Sequence, residues 1–401
     1  MCIGNSADAQ MQEQGPFDLN FGAVNIGLGV ASAFYGRRAI HRYTIRLAQE
    51  LPNLSVDDTF TLFSWRFRKP LSTPALPGKG GNVRHSFWPI PGSLLMKLWE
   101  REWWPPVELF TGKLSIFHSL DYDLPTSRCK TAFTLHGVVH LTRPDTIAKN
   151  EAAWGQSILG RAARRCDVLL AVSQKTRDDY LSFYPSCEKR MFVTPLGIDS
   201  HFRPGPDDRD PAALRALGIR DPYILFVGEI CAKKNVPGLL RAHAILCKTG
   251  LPDLQLVLAG DYGVGCELVR CQVRRATEQH NVLVTGWLPA NGSELPALYR
   301  GASVFAFPSL DEGWTSPPLE AMACGCPVVT SNVSSLPETV GDAAIQVDPL
   351  DSEAIANAIL CALVDTQTRS RLIQRGFQRA AQFSWKETAR KTLEAYKLGL
   401  Q

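Results

Sequence analysis

The stretch FPSLDEGWTSPPLEAMACGCPVVT, from Phe307 to Thr330, decides the fold class of this chain. It predicts the end of one strand, a Gly/Pro-rich loop, a helix and a second buried strand. Pro317 and Pro318 predict where the helix starts, because proline is tolerated where the first helical N–H groups have no partner within the helix. Those N–H groups and the positive end of the helix dipole point toward the loop, where Gly313 allows close approach. The stretch therefore predicts a phosphate site between strand and helix.

Two carboxylates flank that predicted phosphate site, Glu312 in the loop and Glu320 in the first turn of the helix. Carboxylates do not bind phosphate, but they accept hydrogen bonds from hydroxyl groups on either side of it. A molecule with hydroxyls, then diphosphate, then hydroxyls is a nucleotide sugar. The alternative is that Glu320 only complements the helix N-terminus and that Glu312 is a solvated loop residue. The carboxylates alone leave both interpretations open.

The same stretch resembles the E-x7-E signature of retaining glycosyltransferases of family GT4. The resemblance continues through SNVSSLPETVGDAAIQVDPLD, residues 331–351, in its Ser-Leu-Pro-Glu and Gly-Asp-Ala-Ala pieces. It implies an α/β chain with the GT-B fold, in which two Rossmann-like domains face a central cleft. It also implies a metal-independent hexosyltransferase that needs no cofactor. The EGWTSPPLEAM and SLPE pieces are most similar to mannosyltransferases of polysaccharide assembly, which makes GDP-mannose the first donor to consider.

Length and composition agree with a two-domain globular protein. The chain has 401 residues, more than one hydrophobic core usually supports, with 45% hydrophobic and 20% charged residues. It has no long apolar run and starts with a polar segment, so we expect no spanning helix, no signal peptide and a cytoplasmic location. The 11 cysteines are scattered, which favours reduced thiols over disulfides. No metal-ligand cluster is evident in the sequence.

Apolar runs typical of strands alternate with helical patterns on both sides of a Pro/Gly/Asp-rich linker, HFRPGPDDRDP, residues 201–211. This order predicts two Rossmann-like units. We expect a disordered tail over 1–20, an acceptor-binding domain over 21–197, a nucleotide-sugar-binding domain over 198–380 and a helix over 381–401 that crosses back to the first domain. The predicted strands are 24–30, 114–118, 131–136, 168–172, 223–227, 254–259, 282–285, 304–307 and 327–330.

The charge of the chain is uneven. Residues 1–197 hold 23 Lys and Arg against 17 Asp and Glu, and residues 198–401 hold 20 against 22. A basic first half suits an anionic partner, such as a lipid-phosphate acceptor or an acidic membrane surface. A mildly basic solvated surface explains the same charges. The tryptophan-rich segment 86–110 likewise fits either a membrane interface or a packed helix, and helical spacing of its apolar residues favours the packed helix.

Lys233 and Lys234 follow the strand over 223–227 and can neutralise a leaving diphosphate. Two solvated surface lysines are the alternative. The family has Arg-Lys-Asn here, so the resemblance implies that Lys234 holds the donor phosphates, that Lys233 replaces the arginine, and that Asn235 matches. Gly286, after another strand, is placed near the base and ribose. The donor-binding residues implied are Lys233, Lys234, Gly286, Glu312, Gly313, Trp314, Thr315, Ser316 and Glu320.

In the first half, His136 lies at the end of a predicted strand and matches a His-Asp pair of the family, with Gly137 in place of the aspartate. The resemblance implies His136, Lys234 and Glu312 as catalytic residues. The first strand-to-helix turn departs from the family's Gly-Gly-x-Gly-Arg-Tyr, because this chain reads RAIHRY over residues 38–43. A candidate phosphate or acceptor loop there comprises Gly36, Arg37, Arg38 and Arg42.

The sequence thus predicts a retaining transferase that moves a hexose from a nucleotide diphosphate sugar to a hydroxyl of a glycan or lipid-linked acceptor. Retention would follow the family's front-face substitution, with Glu312 as a covalent nucleophile the less favoured variant. The remaining alternatives are a catalytically weak nucleotide-sugar-binding partner subunit and a GT-B-like epimerase or hydrolase. Peripheral contact at the inner face of the membrane is a further expectation, and no nucleic acid is expected.

Overall fold

The computed structural model describes residues 22–35, 39–65, 74–144, 147–205, 207–263, 265–289 and 291–401. The tail predicted over residues 1–20 lies outside these ranges. Within them the chain forms two parallel sheets with helices packed around each, which confirms the predicted α/β class with two Rossmann-like domains. In the described residues, no helix is long and apolar enough to cross a membrane.

In the described part of the first domain, seven parallel strands pair in the order β3-β2-β1-β4-β5-β6-β7. The strands are β1 (Asn25–Gly29), β2 (Thr59–Trp65), β3 (Val83–Trp88), β4 (Ile116–Ser119), β5 (Lys130–Leu135), β6 (Val168–Ala171) and β7 (Met191–Val193). The helices are α1 (Ser32–Tyr35), α2 (Ala39–Leu54), α3 (Gly92–Glu100), α4 (Glu108–Thr111), α5 (Val139–Thr142), α6 (Lys149–Arg165) and α7 (Gln174–Phe183), and a 3-10 turn covers Pro185–Arg190.

The second sheet has six described strands in the order β10-β9-β8-β11-β12-β13. They are β8 (Tyr223–Val227), β9 (Gln255–Ala259), β10 (Val282–Gly286), β11 (Val304–Phe307), β12 (Val328–Ser331) and β13 (Ile345–Val347). The helices are α8 (Asp210–Ala216), α9 (Val236–Lys248), α10 (Glu267–Gln279), α11 (Glu294–Gly301), α12 (Pro317–Ala323), α13 (Leu336–Val340), α14 (Ser352–Val364), α15 (Thr366–Ala380) and α16 (Trp385–Leu400).

Most strands lie close to their predicted positions, and β2, β3, β7 and β13 were missed. Strand β2 contains polar residues, and strand β7 is only three residues long. Neither therefore forms an apolar run that the sequence pattern distinguishes from its surroundings. Strand β3 is an edge strand without a regular alternation of buried and exposed residues, and its partner strand decides its conformation more than its own composition does. The tryptophan-rich segment contains a short helix, α3, with Trp99 buried in a small cluster.

The last helix, α16, packs on the first domain. Its buried face joins the core formed by α2 and strands β1, β2 and β6. Tyr396 on this helix places its hydroxyl 2.5 Å from Nδ1 of the fully buried His118. The apolar residues that α16 adds to that core are Trp385, Ala389, Leu393 and Ala395. The first domain therefore contains a core element that follows the second domain in the chain.

Asn235 fixes the start of α9 directly after the lysine loop. Its side chain accepts the N–H of Gly238 at 3.2 Å and donates to the carbonyl of Pro349 at 2.6 Å. It adopts a left-handed conformation with φ 53°, which asparagine tolerates better than most residues. Such a cap contributes about 1 kcal/mol. Asn235 thereby holds the backbone of the preceding Lys234 in a defined direction.

Candidate active site

Helix α12 begins at Pro317, where the two prolines predicted its start. Glu320 lies in its first turn and is 2% exposed. One carboxylate oxygen, Oε1, accepts a hydrogen bond from Ser316 Oγ at 2.8 Å. The other oxygen, Oε2, accepts one from the hydroxyl of Tyr299 on α11 at 3.0 Å. Glu320 is therefore a held, buried acceptor and not a solvated residue.

Arg42 reaches Glu320 from the first domain. Its Nη2 lies 2.5 Å from Glu320 Oε1 and donates to Ser316 Oγ at 2.6 Å. Asp199, which follows β7, lies 3.9 Å from Arg42 Nη1 and 2.7 Å from Arg46 Nε. Burial opposes the charged form of Arg42, but the carboxylates of Glu320 and Asp199 outweigh it, so the pKa of Arg42 rises above its ordinary value. Arg42 thus joins α2 of the first domain to α12 of the second.

Lys234 and Glu312 form the second ion pair of the site, with Nζ 2.5 Å from Oε1. Ser309 also donates to Glu312 Oε1, at 2.6 Å, and Glu312 is 6% exposed. Lys233 is more exposed and lies 3.9 Å from Asp311. Both lysines thus lie against the loop that carries Asp311 and Glu312. In the free protein, Lys234 and Glu312 neutralise each other.

His136 lies just past the carboxyl end of β5, against the loop of the second domain. Its Nε2 is 2.8 Å from the carbonyl oxygen of Leu120. A carbonyl only accepts, so Nε2 carries the hydrogen and Nδ1 keeps a lone pair. Burial lowers the pKa of His136, which keeps the ring neutral. A Cβ built on Gly313 would lie 2.9 Å from Gly137 Cα and would collide with the His136 carbonyl.

The other predicted donor residues have different surroundings. Gly286 ends β10 with φ 76°, a conformation that favours glycine. Trp314 packs between the two domain cores with its ring 5.2 Å from that of Phe383, and Thr315 is buried. Gly36, Arg37 and Arg38 lie outside the described residues. The structure therefore brings Arg42, His136, Lys234, Glu312 and Glu320 to the boundary between the domains.

Sequence reasoning missed Tyr299 and Asp199. Asp199 also accepts a hydrogen bond from Trp385 Nε1 at 2.8 Å, so it links α2 and α16. Ligand-binding side chains follow the carboxyl ends of parallel strands, but β7 was not predicted, so the position of Asp199 beyond it gave no signal. Tyr299 carries no such signal, because it lies inside α11 and is fully buried. Burial and the adjacent Glu320 raise its pKa well above the usual value.

Asp123 is a second missed carboxyl group at this edge of the first sheet. It follows β4, is 5% exposed, and its Oδ1 has no hydrogen-bond partner among the described residues. Burial, aided by the charge of Asp121, raises the pKa of Asp123 well above its ordinary value. A Cβ on Gly29, at the end of β1, would lie 3.5 Å from Asp123 Oδ2. Asp123 is therefore a buried carboxyl group with a raised pKa, beside the carboxyl end of β1.

Glu338 makes a further link between the domains. Its Oε1 accepts the backbone N–H of Gln174 at 2.6 Å and its Oε2 that of Lys175 at 3.1 Å, both in the first turn of α7. The hydroxyl of Thr176 donates to the carbonyl of Gly313 at 3.2 Å. A carboxylate at a helix N-terminus satisfies free N–H groups and complements the helix dipole. These contacts hold α7 against the second domain.

In the described ranges, no group of three or more His, Cys, Asp or Glu could hold a metal ion.

Comparisons with known proteins agree with this architecture. Residues 40–202 match Glycosyltransferase Family 4, and residues 213–379 match Glycosyl transferases group 1. The chain is 33% identical over 284 residues to the O-antigen chain mannosyltransferase B of Escherichia coli, covering 71% of this chain and 74% of that protein. It is 31% identical over 317 residues to the D-inositol 3-phosphate glycosyltransferase of Corynebacterium urealyticum, covering 72% and 75%.

A solved structure, Anabaena Alr3699/HepE in complex with UDP and glucose, superposes with a TM-score of 0.70 at 17% identity, covering 92% of this chain and 98% of that one. At this identity the likeness establishes the fold, which is GT-B. The chain belongs to the group 1 glycosyltransferases of family 4. It is a glycosyltransferase of the hexosyltransferase class.

Proposed function

We propose that this glycosyltransferase retains the configuration of the sugar and transfers a hexose, with mannose from GDP-mannose as the first candidate. The acceptor is a hydroxyl of a glycan or lipid-linked glycan in polysaccharide biosynthesis. The observation that carries the proposal is the pairing of half-buried Lys234 with buried Glu312, 2.5 Å apart, while the next residue, Gly313, packs against the His136–Gly137 backbone. Both charges lie at the domain boundary, and each can exchange its partner in the pair for a group of the ligand.

The lysine pair accounts for donor binding. A diphosphate placed against Lys234 and Lys233 replaces Glu312 as counter-ion, because the diphosphate of a nucleotide sugar carries two negative charges and the carboxylate carries one. Glu312 is then free to accept hydrogen bonds from sugar hydroxyls. The N–H groups at Gly313 to Ser316 are the second set of phosphate donors. In the free protein, Lys234 stabilises the buried charge of Glu312. When the donor binds, the sugar hydroxyls take the place of Lys234 as partners of Glu312.

Glu320 is assigned to the ribose. A carboxylate has about four acceptor positions, and Arg42, Ser316 and Tyr299 occupy three of them. One position on Oε2 remains for a ribose hydroxyl. Gly286, at the end of β10, is assigned to the base side. The Glu320 carboxylate, whose orientation is already fixed, is therefore the hydrogen-bond acceptor that recognises the nucleotide.

The transfer step follows from the same residues. The bond between the anomeric carbon and the phosphate oxygen breaks, the acceptor oxygen bonds to that carbon on the same face, and its proton passes to the departing phosphate oxygen. Lys234 stabilises the negative charge that develops on the phosphate. Glu312 is the less favoured nucleophile, because Ser309 binds its Oε1 and the sugar hydroxyls are assigned to its remaining acceptor positions. His136 lies beside the loop and is assigned to the reacting carbon.

The sugar and nucleotide rest on similarity. The relative from Escherichia coli is a mannosyltransferase, whereas the solved Anabaena structure contains UDP and glucose. A cytoplasmic location with peripheral contact at the inner face of the membrane completes the proposal. The exposed tryptophans of the segment 86–110, which are Trp88, Trp103 and Trp104, and the basic first half support that contact.

Incubation of the purified protein with radiolabelled GDP- and UDP-sugars tests the proposal. We expect binding and slow hydrolysis of one donor, with GDP-mannose preferred, and a loss of both in Lys234→Ala. Arg274→Ala is the matched control, because Arg274 is an exposed cation whose partner is Glu278 on the same helix. Binding without hydrolysis or transfer would favour a partner subunit. No binding and no hydrolysis with any donor would refute the enzyme.

A further inference from the structure

A cavity of about 520 Å³ lies in the first domain at the end of the sheet opposite the active site. Lys130 begins β5, Asp167 immediately precedes β6, and Arg190 immediately precedes β7. The three residues therefore mark the amino ends of parallel strands, whereas His136 follows the carboxyl end of β5. A six-residue strand spans about 20 Å, so the two sites are separated by roughly the width of the sheet.

Positive charge dominates this amino-end cavity. Among the described residues, five cations line it, Lys130, Arg164, Arg165, Lys189 and Arg190, and Asp167 is the single carboxylate in the lining. Asp167 lies 2.9 Å from Lys130. Glu102, nearby, lies 3.5 Å from Arg164 and 3.7 Å from Arg165. With both carboxylates counted, three positive charges remain in excess.

Local structure accounts for part of this charge. Arg164 and Arg165 lie in the last turn of α6, where cations complement the helix dipole. Arg190 donates to the carbonyl groups of Cys166 and Ala163, which satisfies the end of the same helix. Carbonyl groups and a helix dipole do not neutralise a full positive charge, so these three arginines remain available to an anion. Lys189 is exposed, and its neighbour Glu188 lies 3.7 Å from Arg177 instead.

We propose that the amino-end cavity binds a ligand carrying two phosphate groups. Two phosphate groups carry about three to four negative charges, which matches the excess. Arginine binds phosphate with a planar fork, and Arg190 is already held in place by two carbonyl groups. The volume is in the range of small-molecule sites, and Phe192 and Leu398 supply an apolar wall for the rest of the ligand. The basic first half of the sequence thus has a specific binding place away from the donor site.

Titration calorimetry with inorganic pyrophosphate tests the proposal on the full chain. Lys234→Ala weakens binding at the active site and serves as the background. In that background we expect one pyrophosphate to bind, and the triple variant Arg164→Gln, Arg165→Gln, Lys189→Gln to weaken this binding at least tenfold. Binding should also weaken steeply with added salt, because the three cations are partly exposed.

The matched control changes the same number of charges elsewhere. Lys248, Arg274 and Arg275 are exposed cations of the second domain, and their triple change to glutamine should leave pyrophosphate affinity within twofold. Equal weakening by both triple variants would reduce the effect to net charge and overturn the proposal. So would a cavity triple variant that binds pyrophosphate as tightly as the background protein.

Two further arms identify the source of the phosphates. One measures a soluble nucleoside diphosphate in the same calorimeter, and the other measures sedimentation with phosphatidylcholine vesicles that contain a lipid with a diphosphate headgroup. A free phosphorylated ligand predicts that the cavity variant loses affinity in the first arm only. A lipid headgroup predicts loss of vesicle binding. Insensitivity of both arms to the cavity variant contradicts the site.

Discussion

Arg42 and Glu320 form an ion pair that joins the two domains, with Arg42 Nη2 2.5 Å from Glu320 Oε1. Their side chains are 19% and 3% exposed. Loss of the arginine leaves a buried carboxylate with Ser316 and Tyr299 as its remaining donors among the described residues. We expect Arg42→Ala to lower the free energy of unfolding by about 1–3 kcal/mol, since an unpaired buried charge is destabilising. Denaturant unfolding checks this, with Arg274→Ala as the exposed control, for which a change near zero is expected.

Tyr299 should control nucleotide affinity through Glu320, because its hydroxyl holds Oε2 at 3.0 Å. We expect Tyr299→Phe to weaken nucleoside diphosphate binding about tenfold, the effect of one hydrogen bond to a charged group. The same variant should bind the 2′,3′-dideoxy nucleotide as the parent protein does. If the parent protein does not distinguish the two nucleotides, the ribose role of Glu320 is wrong. If Tyr299→Phe weakens both equally, Tyr299 only supports the fold.

Glu312 and Glu320 should differ in the ligand whose affinity each of them controls. We expect Glu320→Ala to weaken binding of free nucleoside diphosphate more than Glu312→Ala does, because the ribose is present with or without the sugar. Glu312→Ala should instead reduce kcat and the affinity for the intact donor. Calorimetric titration of both variants with nucleoside diphosphate and with nucleotide sugar checks the assignment. Equal losses for the free nucleotide would contradict it.

Gly313 should be intolerant of a side chain, although its backbone conformation is ordinary. A Cβ there collides with the carbonyl of His136, so Gly313→Ala must move the loop away from the first domain. We expect kcat to fall at least tenfold, with little change in unfolding. Gly78→Ala is the control, since a Cβ at Gly78 has nothing within 4 Å. Unchanged kcat in Gly313→Ala would show that this approach of the domains is not needed for transfer.

Asp123 should make stability depend on pH. Its pKa in the folded protein lies above the unfolded value of 3.8. A raised pKa means that the folded state holds the proton longer, so stability present below pH 3.8 is lost as the pH rises through the folded pKa. Asp123→Asn removes that loss and should raise the melting temperature at pH 7 to 8 but not at pH 3.5. A melting-temperature gain that is the same at all pH values would contradict this origin.

The sequence predicted one half of the site better than the other. Glu312, Glu320, Lys233 and Lys234 lie in segments whose local pattern indicates a strand, a loop and a helix start, so their proximity follows from the topology. The pair between Arg42 and Glu320 joins residues far apart in the chain, and its geometry depends on how two domains meet. Sequence periodicity contains no information on that contact. Tyr299 was missed for a related reason, since its helical spacing identifies it only as a core residue.

The packing of α16 sets an order on the maturation of the chain. Residues 385–400 complete the core of the first domain, yet they are synthesised only after the whole second domain. During translation, the surface formed by α2 and β6 stays uncovered until those residues emerge. The first domain therefore cannot complete its packing until the second domain has been synthesised, and a first domain cut off at the linker lacks part of its own core.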